Sequence, residues 1–330
     1  MRKLKAFIYI FIILLIFSGC SFNKEKVSGN ATGTTGTTQS THTDAPAAAK
    51  NNGTPVHQGK KIPKSVSETQ SKVKLNAISK TEAPNDTSYT YTASSYEEYY
   101  SAIFDSLKKF SSSSDIKIIG YNDQNYSLNV VNNVLDDHYD VDYGLDSVSA
   151  ALYTTSSGYD ILHIEYVYKL SRSKMEAMKA EADAKEKEVV DSIIEDGMTD
   201  SQKELAIHDY IINNTRYDFT NYVNGTLKDE EFTDYGALID HSAVCSGYAK
   251  AFYKMCTLAG LECYIVRGYG DNVLHTWNIV KIDGRYCHVD TTWDDPVGAT
   301  DTLTYDYFNL TDEQISKDHT WNREVYAACN

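Results

Sequence analysis

The sequence has no Cys-X-X-Cys pair. Its six cysteines are scattered, and this scatter removes the spacing that a thioredoxin-like redox centre or a zinc ribbon requires. A comfortable membrane span is also missing at the start: the apolar run Ala6–Phe17 is short of the roughly 20 residues that a helix needs to cross a bilayer. Basic residues are in deficit, 31 Lys and Arg against 46 Asp and Glu, for a net charge of −15. That balance excludes nucleic acid as an expected partner, because phosphate backbones are bound by cationic surfaces. It is an ordinary balance for a soluble extracellular domain. Asp294 and Asp295 crowd acidic charge before Pro296, yet no loop has the regular ligand spacing of a calcium site. No metal and no cofactor is therefore expected, with calcium, which that acidic crowding could bind, as the one alternative. Finally, residues 21 to about 90 have almost no large apolar side chains, so most of that stretch cannot bury enough surface to fold.

What is present begins with Arg2, Lys3 and Lys5, the apolar run, and then Ser18-Gly19-Cys20. A basic start, a short apolar centre and small residues before a cleavage point describe an export signal. Ser-Gly-Cys resembles a bacterial lipoprotein signal, with Cys20 acylated as the first mature residue. Phe17 departs from that pattern, where Leu is usual. An uncleaved anchor is the alternative. Either way residues 1–20 leave the protein exported and tethered to the outer face of a membrane, at the cell surface. Residues 21–92 read as a disordered tether rich in Thr, Ser, Gly and Asn.

The pattern then changes. Ser95-Tyr96-Glu97-Glu98 is a capping-box sequence, followed by Tyr99, Ile103, Phe104, Leu107 and Phe110 at helical spacing. A short strand at 116–119, a second helix from Leu128 to His138 and two strands at 148–155 and 159–170 complete a small α/β domain over 93–170. His138 and His163 stand alone in it and read as structural. A second capping box at Ser173 opens a linker helix rich in Ala, Lys and Glu (171–198), expected to be mostly solvated. Ser201-Gln202-Lys203-Glu204 caps the next helix and opens the last domain, 199–330. Its His208 falls on the apolar stripe, as a packed core histidine does.

Chemistry concentrates between Cys245 and Asp290. Tyr248–Leu258 is a helix with a core face at Ala251, Phe252 and Met255, stopped by Gly260. Cys245 stands just ahead of it, where unpaired N–H groups and the positive end of the helix favour a thiolate. Strands are predicted at Leu261–Arg267, Leu274–Ile282 and Arg285–Thr291. Asp283-Gly284 is a two-residue hairpin signal. With that turn Ile282 faces Arg285, Trp277 faces Asp290, and His275 lies diagonal to Asp290 on one face, within side-chain reach. A carboxylate beside an imidazole fixes its tautomer and stabilises its charged form. If the helix start brings Cys245 over His275, the three make a nucleophile, its base and the group that orients the base. His288 faces Ile279 on the same sheet face, further toward the turn, and reads as structural or groove-lining. Cys256, Cys263, Cys287 and Cys329 remain, and either thiols or disulfides suit an exported chain.

The segments VCSGYAKAFYKMC, LHTWNIVKIDGRYCHVDTTWDDP and YDYFNLTDEQISKDHTW resemble the transglutaminase-like superfamily of papain-like cysteine enzymes, and its bacterial secreted branch most. HDYIINNTRYD and DYGALIDHSAVC fit the same pattern, so the likeness covers about residues 200–322. It implies an α+β fold whose papain/transglutaminase-like core packs a helix with an N-terminal Cys on an antiparallel sheet, here preceded by the small α/β domain. It puts nucleophile, base and acid on Cys245, His275 and Asp290. Tyr235 and Trp277 are candidates for an oxyanion donor or the substrate groove. The resemblance implies acyl transfer from an amide and does not fix the substrate; a protein or peptide of the cell envelope is the expected substrate, and a monomer the expected state. Hydrolysis is preferred over cross-linking because water is always at hand. A binding or scaffolding protein that keeps the fold without turnover is the second reading.

Overall fold

The computed structural model describes residues 73–82, 88–295 and 304–330. The export signal, Cys20 and most of the expected tether lie outside the described residues. Among those described, no helix is long and apolar enough to cross a membrane.

The first layer is a six-stranded sheet. Its strands are β1 (Lys74–Leu75), β2 (Ser79–Glu82), β3 (Tyr91–Ala93), β4 (Ser113–Ile118), β5 (Leu145–Thr154) and β6 (Asp160–Tyr168). β5, β6 and β4 pair antiparallel as the centre, β3 runs parallel to β4, and β1 and β2 both run parallel to β5. β1 and β2 lie in the stretch expected to be tether, and β3 begins at its end. Val73 is buried, and Leu75 and Ile78 pack against the core. Those few apolar residues suffice because the edge of β5 supplies the hydrogen bonds. Two helices cover the sheet, α1 (Tyr96–Lys108) and α2 (Asn129–Asp137), and a 3₁₀ turn at Tyr139–Val141 follows. Ser95 caps α1 by accepting from the Glu98 N–H, as its sequence predicts. Tyr99, Ile103 and Leu107 of α1 meet Val131, Val134 and Leu135 of α2 over Ile116, Leu152 and Ile164 of the sheet.

α3 (Arg172–Ile193) leads out of this layer. Its cap is Ser171 rather than Ser173: Ser171 accepts from the Lys174 N–H, and Glu176 pairs instead with Arg172. The helix is mostly exposed, as expected, and buries one stripe, Met175, Met178, Ala182, Glu186, Val189 and Val190. Val189 and Val190 belong to the core of the following domain, so that domain begins inside the helix rather than at 199. The next helix, α4 (Asp200–Asn214), is capped by Thr199 with a reciprocal Gln202, not by Ser201. Glu204, the residue that a Ser201 box would use, is buried and accepts from Asn309.

Then come β7 (Arg216–Tyr217), α5 (Phe219–Asn224), α6 (Asp234–Leu238), β8 (Ser242–Ala243) and the central helix α7 (Cys245–Leu258). After them follow β9 (Cys263–Gly270), β10 (Val273–Ile282), β11 (Arg285–Val289), the short α8 (Asp312–Ile315) and β12 (His319–Trp321). The second sheet has the order β11-β10-β9-β12, antiparallel throughout. α7 lies on it, with Tyr248, Ala251, Phe252 and Met255 against Val280, Ile282 and Val289. The architecture is α+β: a helix with cysteine at its first position on an antiparallel sheet, preceded by a smaller α/β layer.

Candidate active site

The Asp283-Gly284 turn takes both of its residues into the left-handed region, φ 50° and 82°, the conformation of a two-residue hairpin. It sets the register as counted from sequence: Ile282 pairs with Arg285, Ile279 with His288 and Asn278 with Val289. One further step brings Asp290 opposite Trp277. His275 then reaches across, its Nε2 2.6 Å from Asp290 Oδ2. Asp290 is fully buried, and its other oxygen accepts from the N–H groups of Thr292 and Trp293 at 3.0 and 3.3 Å. With Nε2 engaged by the carboxylate, Nδ1 is the ring nitrogen left for the thiol.

Cys245 is half-buried and begins α7, whose N-cap, Val244, has no capping side chain. His275 and the backbone N–H of Thr276 both act on the sulfur and favour its charged form. The close approach depends on Gly247. A Cβ there would lie 2.8 Å from the carbonyl oxygens of both Glu231 and Thr233, so only glycine lets the first turn of α7 sit against that loop. Structure therefore brings together the three residues that spacing singles out.

Electrostatics follow from that geometry. Burial opposes a charged Cys245, but the neighbouring His275, helped by the Thr276 N–H, outweighs it and holds the thiol below its ordinary value. Burial likewise opposes a charged His275, and the Asp290 carboxylate overrides it, pushing the imidazole up to about 10. Asp290 is held well below the usual carboxylate range, because the His275 and His319 contacts outweigh its burial. Such an environment stores a thiolate beside an imidazolium.

The cysteine lies on the wall of a cleft of about 850 Å³. Tyr217, Phe219 and Tyr222 line one side, and Val273, Leu274 and Trp293 another. Phe219, Tyr222, Val273 and Leu274 are exposed, so the rim is apolar and aromatic. Tyr139 and Asp142 also line it: the 3₁₀ turn of the first domain contributes to the site. Lys250 fastens that wall by donating to the Asp142 carbonyl at 2.8 Å.

Two sequence candidates fall elsewhere. Tyr235 is not among the cleft-lining residues; it packs beside Phe110, Tyr143, Met175 and Met178, because α6 turns it toward α3. Trp277 does not line the groove either. It is buried behind His275, its ring stacked 5.9 Å away at 18°, and its indole N–H donates to His288 Nδ1. His288 in turn bonds Asp312 through Nε2. Both of its nitrogens are committed, and burial holds it down to about 4: it is structural. His208, also buried, is held between Asp209 and Asp294.

Two residues that the sequence reading missed complete the site. Trp293, in the turn after Asp290, forms cleft wall beside His275. His319, on β12, places Nε2 3.1 Å from Asp290 Oδ2, the oxygen that His275 also uses. The ligand-type atoms of His275, Asp290 and His319 lie within 4.8 Å of one another, as do those of His288, Asp312 and Cys329. In both clusters the histidine nitrogens that face the acid are already engaged by it.

The sequence pattern of the transglutaminase-like superfamily matches residues 187–291. The chain carries a transglutaminase-like domain. That match opens at residue 187, within the last turns of α3, in keeping with the burial of Val189 and Val190. Kyphoscoliosis peptidase of Homo sapiens is 31% identical over 139 residues, which are 38% of this chain and 20% of that protein. The Mus musculus protein of that name is 30% identical over 139 residues, with the same coverage, 38% and 20%. The chain thus spans about a fifth of the length of the curated relatives it matches. Among solved structures, a TGase is 15% identical with a TM-score of 0.33, covering 64% of this chain and 60% of that one. The arylamine N-acetyltransferase NAT3 of Bacillus cereus is 12% identical with a TM-score of 0.26, covering 34% and 49%. The transglutaminase-like fold is a cysteine acyl-transfer fold.

Proposed function

We propose that the protein is a surface-tethered cysteine acyl-transfer enzyme acting on amide bonds of proteins or peptides of the cell envelope. The observation that carries this reading is the contact of Cys245, His275 and Asp290 at the wall of an open cleft. In the proposed reaction the Cys245 thiolate attacks an amide carbonyl. The Cys245 N–H, at a helix start with no intrahelical acceptor, receives the developing oxyanion. His275 gives its proton to the leaving amine and then takes one from the acceptor. Asp290 holds His275 throughout. Water as acceptor gives a peptidase or deamidase; an amine gives cross-linking. Hydrolysis is preferred: the curated relatives bear the name peptidase, and water is always at hand as the acceptor. The acylated Cys20 supplies the tether in this reading.

The test is alkylation of Cys245 by iodoacetamide across pH, read by mass spectrometry on the whole chain, with His275→Ala beside it. Fast reaction already at pH 6, lost by tenfold or more in His275→Ala, supports the enzyme. A Cys245 that reacts as an ordinary thiol in both proteins sinks it and favours a binding protein that keeps the fold.

A further inference from the structure

We infer that His319 is a positioning residue of this site: as an imidazolium clamped between Asp290 and Asp318, it fixes the Asp290 carboxylate and shares its charge with His275. The inference rests on the enzyme reading above and deepens it.

Proton counting leads to it. A buried, ionised carboxylate can only accept hydrogen bonds. Asp290 Oδ2 meets two ring nitrogens, His275 Nε2 at 2.6 Å and His319 Nε2 at 3.1 Å, so both must carry a proton there. The second nitrogen of His319, Nδ1, lies 2.6 Å from Asp318 Oδ1. Asp318 is held ionised by His319 and by the Tyr307 hydroxyl, which donates to Oδ2 at 2.8 Å and helps outweigh its burial. Asp318 is therefore a second acceptor, and His319 carries protons on both nitrogens. A fully buried imidazolium between two carboxylates is the result.

A core-filling histidine needs none of this. His288 shows the contrast, since it is neutral between an indole donor and one carboxylate. At His319 a cation has been buried at a cost that only paired charges offset. Three aromatic rings, Trp277, Trp293 and Tyr307, pack within 5.5 Å of its own, and they block rotation. The ionisable groups facing it are Asp290, Asp318, His275, Tyr307 and, more distantly, His288.

The consequence is chemical. Asp290 alone would grip the His275 proton strongly, which suits storage of the thiolate but hinders proton delivery to a leaving amine. A second cation on the same oxygen divides that grip. The two rings are 5.4 Å apart, and each like charge disfavours the other's proton. His319 thereby lowers the proton affinity of His275 while keeping Asp290 aimed at it.

The experiment compares two reagents on the whole chain. Iodoacetamide, uncharged, reports the thiolate. Iodoacetate carries a carboxylate that the His275 imidazolium attracts, so its rate falls at high pH when His275 loses its proton. For His319→Gln, which keeps a donor but removes the charge, the falling limb with iodoacetate is expected to move upward by about one pH unit, tenfold in proton affinity. Asp318→Asn, at a part-exposed position, weakens the imidazolium and is expected to move the limb in the same direction by less. It decides the matter if His319→Gln fails to fold. A limb that stays in place or moves downward overturns the inference and leaves His319 as packing. A wild-type Cys245 that iodoacetamide attacks no faster than a free thiol at pH 6 instead sinks the enzyme reading on which the inference stands.

Discussion

The guanidinium of Arg267 lies 4.0 Å from the ring centre of Tyr139 and donates to Asp136 at 2.9 Å. One strand of the transglutaminase-like domain thus grips the helix and turn of the first domain at the cleft wall. Tyr139 is 4% exposed. Its replacement by Ala removes a large buried ring and a cation–π contact, together about 3–5 kcal/mol. A thermal melt of Tyr139→Ala is expected to show a clear drop in Tm with Cys245 still open to iodoacetamide at 25 °C. An unchanged melt would mean that the wall is idle.

Asp290→Asn keeps an oxygen for the Thr292 and Trp293 N–H groups and removes the charge that raises His275. The imidazolium is then lost at lower pH, and the thiol climbs back toward its ordinary value. Reaction with iodoacetamide at pH 6 is expected to fall tenfold or more, with the rising limb displaced to higher pH. A profile like that of the wild type would show that Asp290 does not govern His275.

Glu186 sits 2% exposed beside Asp234, near Lys254 and Asp183. Burial, with Asp234 next, pushes it up to about 9 from an ordinary 4.5. A carboxyl raised on folding stabilises fully below its unfolded pKa, and that contribution is lost as pH rises toward the folded one. Wild-type Tm should therefore decline between about pH 5 and pH 9, while Glu186→Gln, which mimics the protonated acid, should decline less. The gap is expected to grow with pH at about 2–4 °C per kcal/mol. Parallel curves would refute a proton held at Glu186.

Gly247→Ala drives a methyl into two backbone carbonyls that cannot yield separately. The first turn of α7 must lift, carrying Cys245 away from His275. A loss of about 1–3 kcal/mol in unfolding free energy is expected, with a fall in the alkylation rate at pH 6. Wild-type reactivity in the variant would show that the helix start tolerates the shift.

What the sequence makes legible is what short-range rules determine. Two residues at a turn, Asp283 and Gly284, set the count that puts His275 beside Asp290, and the helix formers after Cys245 put the thiol at a helix start. What it hides depends on distant partners. His319 meets Asp290 only because β12 pairs with β9, from His319 against Gly270, and no local spacing encodes that pairing. β1 and β2 exist because β5, some seventy residues later, offers them an edge. Trp277 shares the alternation of His275 but lies one step further into the sheet, where β12 and its aromatic residues cover it. The caps fall at Ser171 and Thr199, each two residues before the serine that the sequence pattern favours, because a hydroxyl residue stands on both sides of each helix start.

α3 touches both halves of the chain. Met175 and Met178 are packed with Phe110 and Tyr143 at one end, and Val189 and Val190 with the helix that bears the thiol at the other. For recombinant work this sets where the chain can be cut. A fragment starting at 199 would strip an apolar strip from the back of α7 and expose Ile207 and Ile211 with it. Its low yield or clumping would say nothing about whether the cysteine can react. A protease that nicks the middle of α3 is expected, for the same reason, to melt both halves in one step rather than release a working fragment.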